Sequence, residues 1–169
     1  EPGGGKGLMG DRTPGEAPSA AVVGVGDELL YGSTVDTNGA WLGRELSQLG
    51  FNLARRVAVG DLRGEIGATL REMLRLAEVV LVTGGLGPTP DDLTREAVAE
   101  TLGRPLEVDP TLLDGLKARF RARGYAELPS NSVAMAMVPS GAMVLPNPRG
   151  AAPGLVLDAG EGRAVILLP

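Results

Sequence analysis

The residues best equipped for chemistry lie between Val79 and Thr94, in the run VVLVTGGLGPTPDDLT. Thr83-Gly84-Gly85-Leu86-Gly87 packs three glycines into four positions, which lets the backbone turn sharply and approach a ligand closely. Thr89-Pro90-Asp91-Asp92 reads as a helix start: Thr89 suits the N-cap, Pro90 the first helical position, and the acids the positive end of the dipole. Strand, glycine loop and helix N-terminus together make an anion site. With two aspartates in that loop, a phosphate would need a divalent cation between it and them. The plainer alternative is capping alone, with Asp92 completing a capping arrangement three residues after Thr89 and Asp91 serving only the dipole. Either aspartate alone fits that alternative. The glycines, Pro88, Thr89 and both acids taken together favour a ligand site.

Other acids follow apolar runs. Asp27 and Glu28 come directly after Ala20–Val25 and could form a metal or ribose site, or be ordinary solvated loop charges. Asp36-Thr37-Asn38 precedes a helical pattern, where N-capping is the simpler role for Asp36 and Asn38. Asp61 ends a second strand pattern, and Asn147–Gly154 (NPRGAAPG) is a second loop rich in Gly and Pro. Arg119, Arg121 and Arg123 read as a solvated helix face, with a phosphate-reaching role for one of them as the minority alternative.

Composition narrows the chemistry. The 169 residues contain no cysteine and no histidine. That excludes disulfides, thiolate metal sites, cysteine nucleophiles, histidine bases and Ser-His-Asp triads. Any metal must be held by oxygen, which favours Mg²⁺ or Mn²⁺ over zinc. A net charge of −5 without a basic block argues against nonspecific nucleic-acid binding. No apolar run approaches the roughly 18 residues of a membrane span, and no signal-peptide core is present, so a cytoplasmic location is the default.

Several elements must position these residues. Residues 1–19, rich in Gly and Pro, read as a disordered leader. Ala20–Val25, Phe51–Val59 and Glu78–Val82 read as strands; Trp41, Leu42, Leu46 and Leu49 form the stripe of a helix stopped by Gly50. Glu65–Leu76, Leu93–Leu102 and Leu112–Arg123 read as helices. Tyr125–Ser132 is a loop and Ala134–Val138 one apolar turn. Ala142–Leu145, Leu155–Leu157 and Ala164–Leu168 close the fold, the last two as a hairpin. With aromatics at 3%, the core must be Leu, Val, Ala and Ile. Alternating strands and helices imply an α/β/α three-layer sandwich with a mostly parallel, mixed sheet. Ligands bind such sheets beyond the carboxyl ends of the strands. Gly26–Asn38, Asp61 and Gly84–Thr94 all follow strands and should therefore gather at one edge.

These stretches carry a family resemblance. Gly26-Asp27-Glu28-Leu29-Leu30 with Gly32, Asp36-Thr37-Asn38, Val59-Gly60-Asp61, Thr83–Thr89 with Asp91, Asp92 and Thr94, and Asn147-Pro148 with Gly150 and Ala152-Pro153-Gly154 resemble the N-terminal domain of the competence/damage-inducible, CinA-like family. More distantly the chain looks like the molybdopterin-binding, MogA-like superfamily. The resemblance spans most of Val22 to Pro169, with Thr83–Thr94 its most specific part. The sequence departs from the family at Ala151, where Thr is frequent, and in Asn131–Pro139, which lacks the usual basic residue and Gln. It also lacks the Gly-Val-Pro continuation and the second, deamidase domain of many members, so that activity is not assigned. Residues 20–169 would be one molybdopterin-binding-like domain, cut at its C-terminal end.

The resemblance implies a metal-dependent pyrophosphatase acting on ADP-ribose. Asp27, Glu28 and Asp92 would be catalytic, with Asp91, Asp92 and Asp27 around a Mg, Mn or Co ion. The amides of Gly84 to Thr89 would cradle a phosphate. Asn38, Asp61, Gly84, Gly85, Gly87, Pro88, Thr89, Thr94, Asn147, Gly150, Pro153 and Gly154 would line the substrate. Two other functions share these residues: molybdopterin binding with adenylyl transfer, and a non-catalytic nucleotide-binding module. The superfamily also implies a homo-oligomer, dimer or trimer, with a small-molecule nucleotide as partner and neither nucleic acid nor membrane.

Overall fold

The computed structural model describes residues 17–169. The expected leader therefore lies outside the described residues, except for its last three; of these, Ser19 already belongs to the first strand. Strands β1 (Ser19–Val25), β2 (Asn52–Val59), β3 (Val79–Thr83), β8 (Arg163–Leu168), β7 (Gly154–Gly160) and β6 (Met143–Leu145) form one six-stranded sheet in the order β2-β1-β3-β8-β7-β6. The β2-β1, β1-β3 and β3-β8 pairs are parallel, and β7 and β6 add antiparallel strands. β4 (Leu106–Val108) and β5 (Met137–Pro139) make a separate two-stranded antiparallel sheet. Three residues per strand is too short for an alternation signal, which is why sequence reading leaves β4 unassigned.

Side-chain alternation splits the core in two. Ala21, Val23, Val25, Val80, Val82, Val165 and Leu167 face one side. There they meet Ile66, Leu70 and Met73 of α3 (Arg63–Leu76) and Ala97 and Val98 of α4 (Thr94–Thr101). Ala20, Val22, Val79 and Leu81 face the other side, under Leu42 and Leu46 of α2 (Thr37–Gln48). Buried on both faces, β1 and β3 have no polar register to fill, hence their unbroken apolar sequences. The helix α5 (Pro110–Ala122) lies over the first core through Leu116, with Leu112, Leu113 and Phe120 packed beside it.

Three expectations are corrected. Trp41 and Leu49 are 53% and 74% exposed. Leu42 and Leu46 lie i and i+4 on one face, whereas Trp41 is turned about 100° away and Leu49 already caps the helix. Asp27–Leu30 is a single helical turn, α1, rather than open loop. The helix after the glycine loop starts at Thr94, not at Thr89: Thr89–Asp92 closes as a turn, the Asp92 N–H donating to Thr89 O at 3.0 Å. Among the described residues no helix is long and apolar enough to cross a membrane.

Candidate functional site

Register fixes which loops share an edge. Val25 pairs with Val59, Gly24 with Thr83, Thr83 with Leu168, and Leu155 with Leu167. The segments after β1, β2 and β3, and the one joining β6 to β7, therefore all open at the carboxyl edge of β1, β3 and β8. The chain leaves β1 toward β2 on one side and returns as β3 on the other, which opens a crevice between β1 and β3. A cleft of about 180 Å³ lies there, lined among others by Glu28, Asp36, Asn38, Thr83, Gly84 and Pro169.

The glycine loop turns its carbonyls inward. Thr94 Oγ1 donates to Gly84 O at 2.9 Å and Thr94 N–H to Gly85 O at 3.2 Å. Arg95 donates from Nη1 to Leu86 O at 2.5 Å and from Nη2 to Gly87 O at 2.9 Å. Of the amides, Gly84 donates to Leu168 O at 3.1 Å, and Gly87 and Thr89 donate to the Asp92 carboxylate at 2.8 Å each. This corrects the expected cradle of Gly84 to Thr89. Only the consecutive amides of Gly85 and Leu86 have no partner among the described residues, since Pro88 has no N–H. Thr94 is also corrected: fully buried with its hydroxyl donated to Gly84, it holds the loop instead of lining the substrate.

Sequence reading missed Arg95. It is 2% exposed, the bulkiest fully buried side chain described, and its Nε has no partner. Burial lowers its pKa, while Glu96 and Asp92 pull it back up. The available signal was spacing: Val98 and Ala99, at i+3 and i+4 from Arg95, are buried, which puts Arg95 on the inward face.

Asp92 is the loop's acceptor. Its Oδ2 receives both the Thr89 N–H and the Thr89 hydroxyl, the latter at 2.5 Å. This is the acidic half of a capping box, placed in a loop ahead of the helix; the other half is absent, because the Thr89 hydroxyl donates to Asp92 and the Asp92 N–H goes to the Thr89 carbonyl. Partial burial raises the Asp92 pKa, but the Thr89 and Gly87 donors and the Arg95 charge outweigh it and hold it below the ordinary 3.8. A carboxyl depressed in the folded state adds stability above its unfolded pKa and loses it as pH falls through the folded one. Thermal midpoints of wild type and Asp92→Asn between pH 2 and 6 are therefore expected to diverge most above pH 4 and to converge toward pH 2. A gap that stays constant with pH would contradict this.

The remaining acids sort by what they already hold. Asp27 and Asp61 clasp each other's backbone: Asp27 N–H donates to Asp61 Oδ2 at 3.0 Å and Asp61 N–H to Asp27 Oδ1 at 3.1 Å. Asp36 Oδ1 accepts from Gly39 N–H at 2.7 Å, so the capping alternative holds for Asp36. The carboxylates of Glu28 and Asp91 are exposed and make no hydrogen bond among the described residues. Glu28 lines the cleft with Gly84; Asp91 sits on the exposed turn outside that lining. Among the described residues no three acidic side chains converge where they could hold a metal ion.

The second glycine-rich loop is braced from within. Asn147 Oδ1 accepts from the N–H groups of Arg149 and Gly150, both at 3.0 Å, and its Nδ2 donates to Ala152 O at 2.9 Å. Arg119 of α5 donates to Gly150 O and, at 3.4 Å, to Asn147 O, so it pins this loop instead of joining a solvated face. Asn147 is thus committed mainly to its own turn. Pro153 and Gly154 are buried at the start of β7. Pro169 adjoins both this loop and the crevice beside Gly84.

Comparison with known proteins adds to this geometry. The family described as the probable molybdopterin binding domain matches residues 21–169. A putative competence-damage inducible protein of Symbiobacterium thermophilum is 48% identical over 150 residues, 89% of this chain and 35% of that protein. The crystal structure of the protein CinA of unknown function from Thermoplasma acidophilum superposes with a TM-score of 0.83 at 39% identity, covering 90% of this chain and 88% of that one. The molybdopterin biosynthesis enzyme MoaB of a Thermus species, at 21% identity and a TM-score of 0.57 over 90% of this chain and 80% of its own, shares the fold. The chain spans between 35% and 57% of the length of the curated relatives it matches.

Proposed function

We propose that this chain, which belongs to the probable molybdopterin binding domain family and within it to the CinA-like proteins, hydrolyses a nucleoside diphosphate sugar, foremost ADP-ribose, at the carboxyl edge of its sheet. The observation that carries this reading is the pair of unpartnered amides, Gly85 and Leu86, on a loop whose four carbonyls from Gly84 to Gly87 all accept hydrogen bonds. Adjacent N–H groups left without an acceptor suit a phosphate oxygen. The nucleoside portion would lie along the crevice past Asn38 and toward Asn147–Gly150.

The donor set bears on the divalent cation that the family resemblance implies. Every acid here is an oxygen donor, and Asp92 is ionised at neutral pH. With no cluster of three acids among the described residues, the chain fits a cation that takes most of its ligands from water and substrate phosphate, as Mg²⁺ does. Asp91 and Asp27 would be its protein ligands, and it would supply charge neutralisation on the diphosphate. Glu28 would take the proton from water as the water oxygen bonds to phosphorus and the bridging P–O bond breaks, releasing AMP and the sugar phosphate. Asp92 would keep the glycine loop in shape.

The test is AMP release from ADP-ribose by the purified chain with Mg²⁺, Mn²⁺ or Co²⁺ and with chelator. Turnover is expected only with metal, and Glu28→Gln is expected to lower kcat about 100-fold, the scale of one proton-transferring group. Binding of ADP-ribose by calorimetry without AMP release under any metal would overturn hydrolysis. The second reading, a module that binds a nucleotide or pterin without cleaving it, would then stand. The observation that favours that reading is that the carboxylates of Asp27, Asp61 and Asp92 each already accept a backbone N–H.

A further inference from the structure

We propose that the chain carries a second anion site, for a di- or triphosphate group, at the sheet edge opposite the glycine loop. A cleft of about 470 Å³ is lined by Arg71, Arg75, Thr101, Arg104, Asp158 and Gly160, among others. Its place follows from register: Asp158 of β7 pairs with Ala164 of β8, which pairs with Val79, the first residue of β3. The cleft therefore sits at the amino ends of β3 and β8, whereas the candidate site sits at their carboxyl ends. The proposal does not rest on the hydrolytic reading.

Three arginines converge on a chain whose net charge is −5. Arg71 and Arg75 are four residues apart on α3 and so project from one face of it. Neither has an ion pair or a hydrogen bond among the described residues. The acids nearest in sequence are engaged elsewhere: Glu72 pairs with Arg55 at 2.6 Å, and Glu78 accepts from the Ser19 N–H at 2.8 Å; Glu100, next to Thr101, pairs with Arg63 at 2.7 Å. Arg104 is fixed by neutral partners, donating to Ser140 O at 2.8 Å and Asp158 O at 2.6 Å, so its charge is oriented but not cancelled.

The single carboxylate in the lining, Asp158, turns to its own hairpin and accepts from Gly160 N–H at 2.8 Å. Thr101 Oγ1 and Arg71 Nη1 meet over Gly67, 2.9 Å and 3.5 Å from where a Cβ would stand, which supplies a hydroxyl donor beside the guanidinium. Guanidinium forks bind phosphate bidentately. A spacing of one helical turn, about 5–6 Å between Cβ atoms, suits neighbouring phosphates better than a single one.

The test is titration of the intact chain with inorganic phosphate, pyrophosphate and tripolyphosphate at low ionic strength. It is followed by calorimetry and by the NMR signals of the arginine Nε–H groups. Pyrophosphate and tripolyphosphate are expected to move the Arg71, Arg75 and Arg104 signals and to bind more tightly than phosphate. The exposed double variant Arg71→Gln/Arg75→Gln should weaken this event at least about tenfold, as loss of charge-assisted hydrogen bonds implies. Arg121→Gln/Arg123→Gln, which removes the same charge from α5, should leave it unchanged. Equal affinity for tripolyphosphate and ATP supports a site for the phosphate tail alone; tighter ATP binding at these signals supports the site with a nucleotide as its source. If the three signals stay still at millimolar polyphosphate, or both double variants weaken binding equally, the arginines are a solvated face and the proposal fails.

Discussion

Gly84→Ala is expected to destabilise the fold by about 3 kcal/mol and to abolish ligand binding at the carboxyl edge, because backbone strain of 1–3 kcal/mol is compounded by a clash that cannot relax. Gly84 has φ 93°, and a Cβ there would lie 2.4 Å from Val25 O. That oxygen belongs to the backbone at the end of β1, so it cannot swing aside as a side chain would. The control is Gly32→Ala, with φ 75° but nothing within 4 Å of its Cβ. It meets only the positive-φ penalty, about 1 kcal/mol. Urea unfolding of both variants separates strain from collision. If Gly84→Ala costs no more than Gly32→Ala, the close approach of loop to strand is not what shapes the site.

Arg95→Met is expected to cost about 3 kcal/mol or more, the scale on which removing one partner strands buried polar groups. A buried charge can often be exchanged for an apolar side chain at little loss. Here the exchange would leave Leu86 O and Gly87 O without donors and remove a positive charge near Asp92. Arg95→Lys is expected to recover little, since one ammonium on a shorter stem does not reproduce a fork reaching two successive carbonyls. The loop should also exchange its amide hydrogens faster at Gly87 and Thr89, whose acceptor Asp92 loses that charge. Wild-type stability with unchanged exchange in Arg95→Met would mean that the guanidinium does not hold the loop.

The sequence by itself determined the elements and the edge. Apolar runs made β1 and β3 recognisable as doubly buried strands, and the i, i+4 spacing of Ile66 and Leu70 set the inward face of α3. Alternation of strand and helix then required the segments after parallel strands to share an edge, where Glu28, Asn38 and Gly84 do line one cleft. Asp36 was readable as a cap because its donor, the Gly39 N–H, is only three residues away. All of these are local or periodic facts, and local physics decides them.

Only the tertiary structure decided which polar groups are left over. The donors that Asp92 holds were not legible: Gly87 and Thr89 both give it their N–H groups. Arg119 looked solvated until the Asn147–Gly150 loop, 28 to 31 residues on, closed over its guanidinium. Arg71 and Arg75 became an uncompensated pair only because Arg55 and Arg63 claimed Glu72 and Glu100. A donor's capacity is filled by whatever the fold brings near it, and those partners are mostly remote in the chain. Hydrophobic pattern specifies the frame; in the glycine loop Leu168, remote in the chain, takes the Gly84 N–H and nearby Asp92 takes those of Gly87 and Thr89, which leaves Gly85 and Leu86.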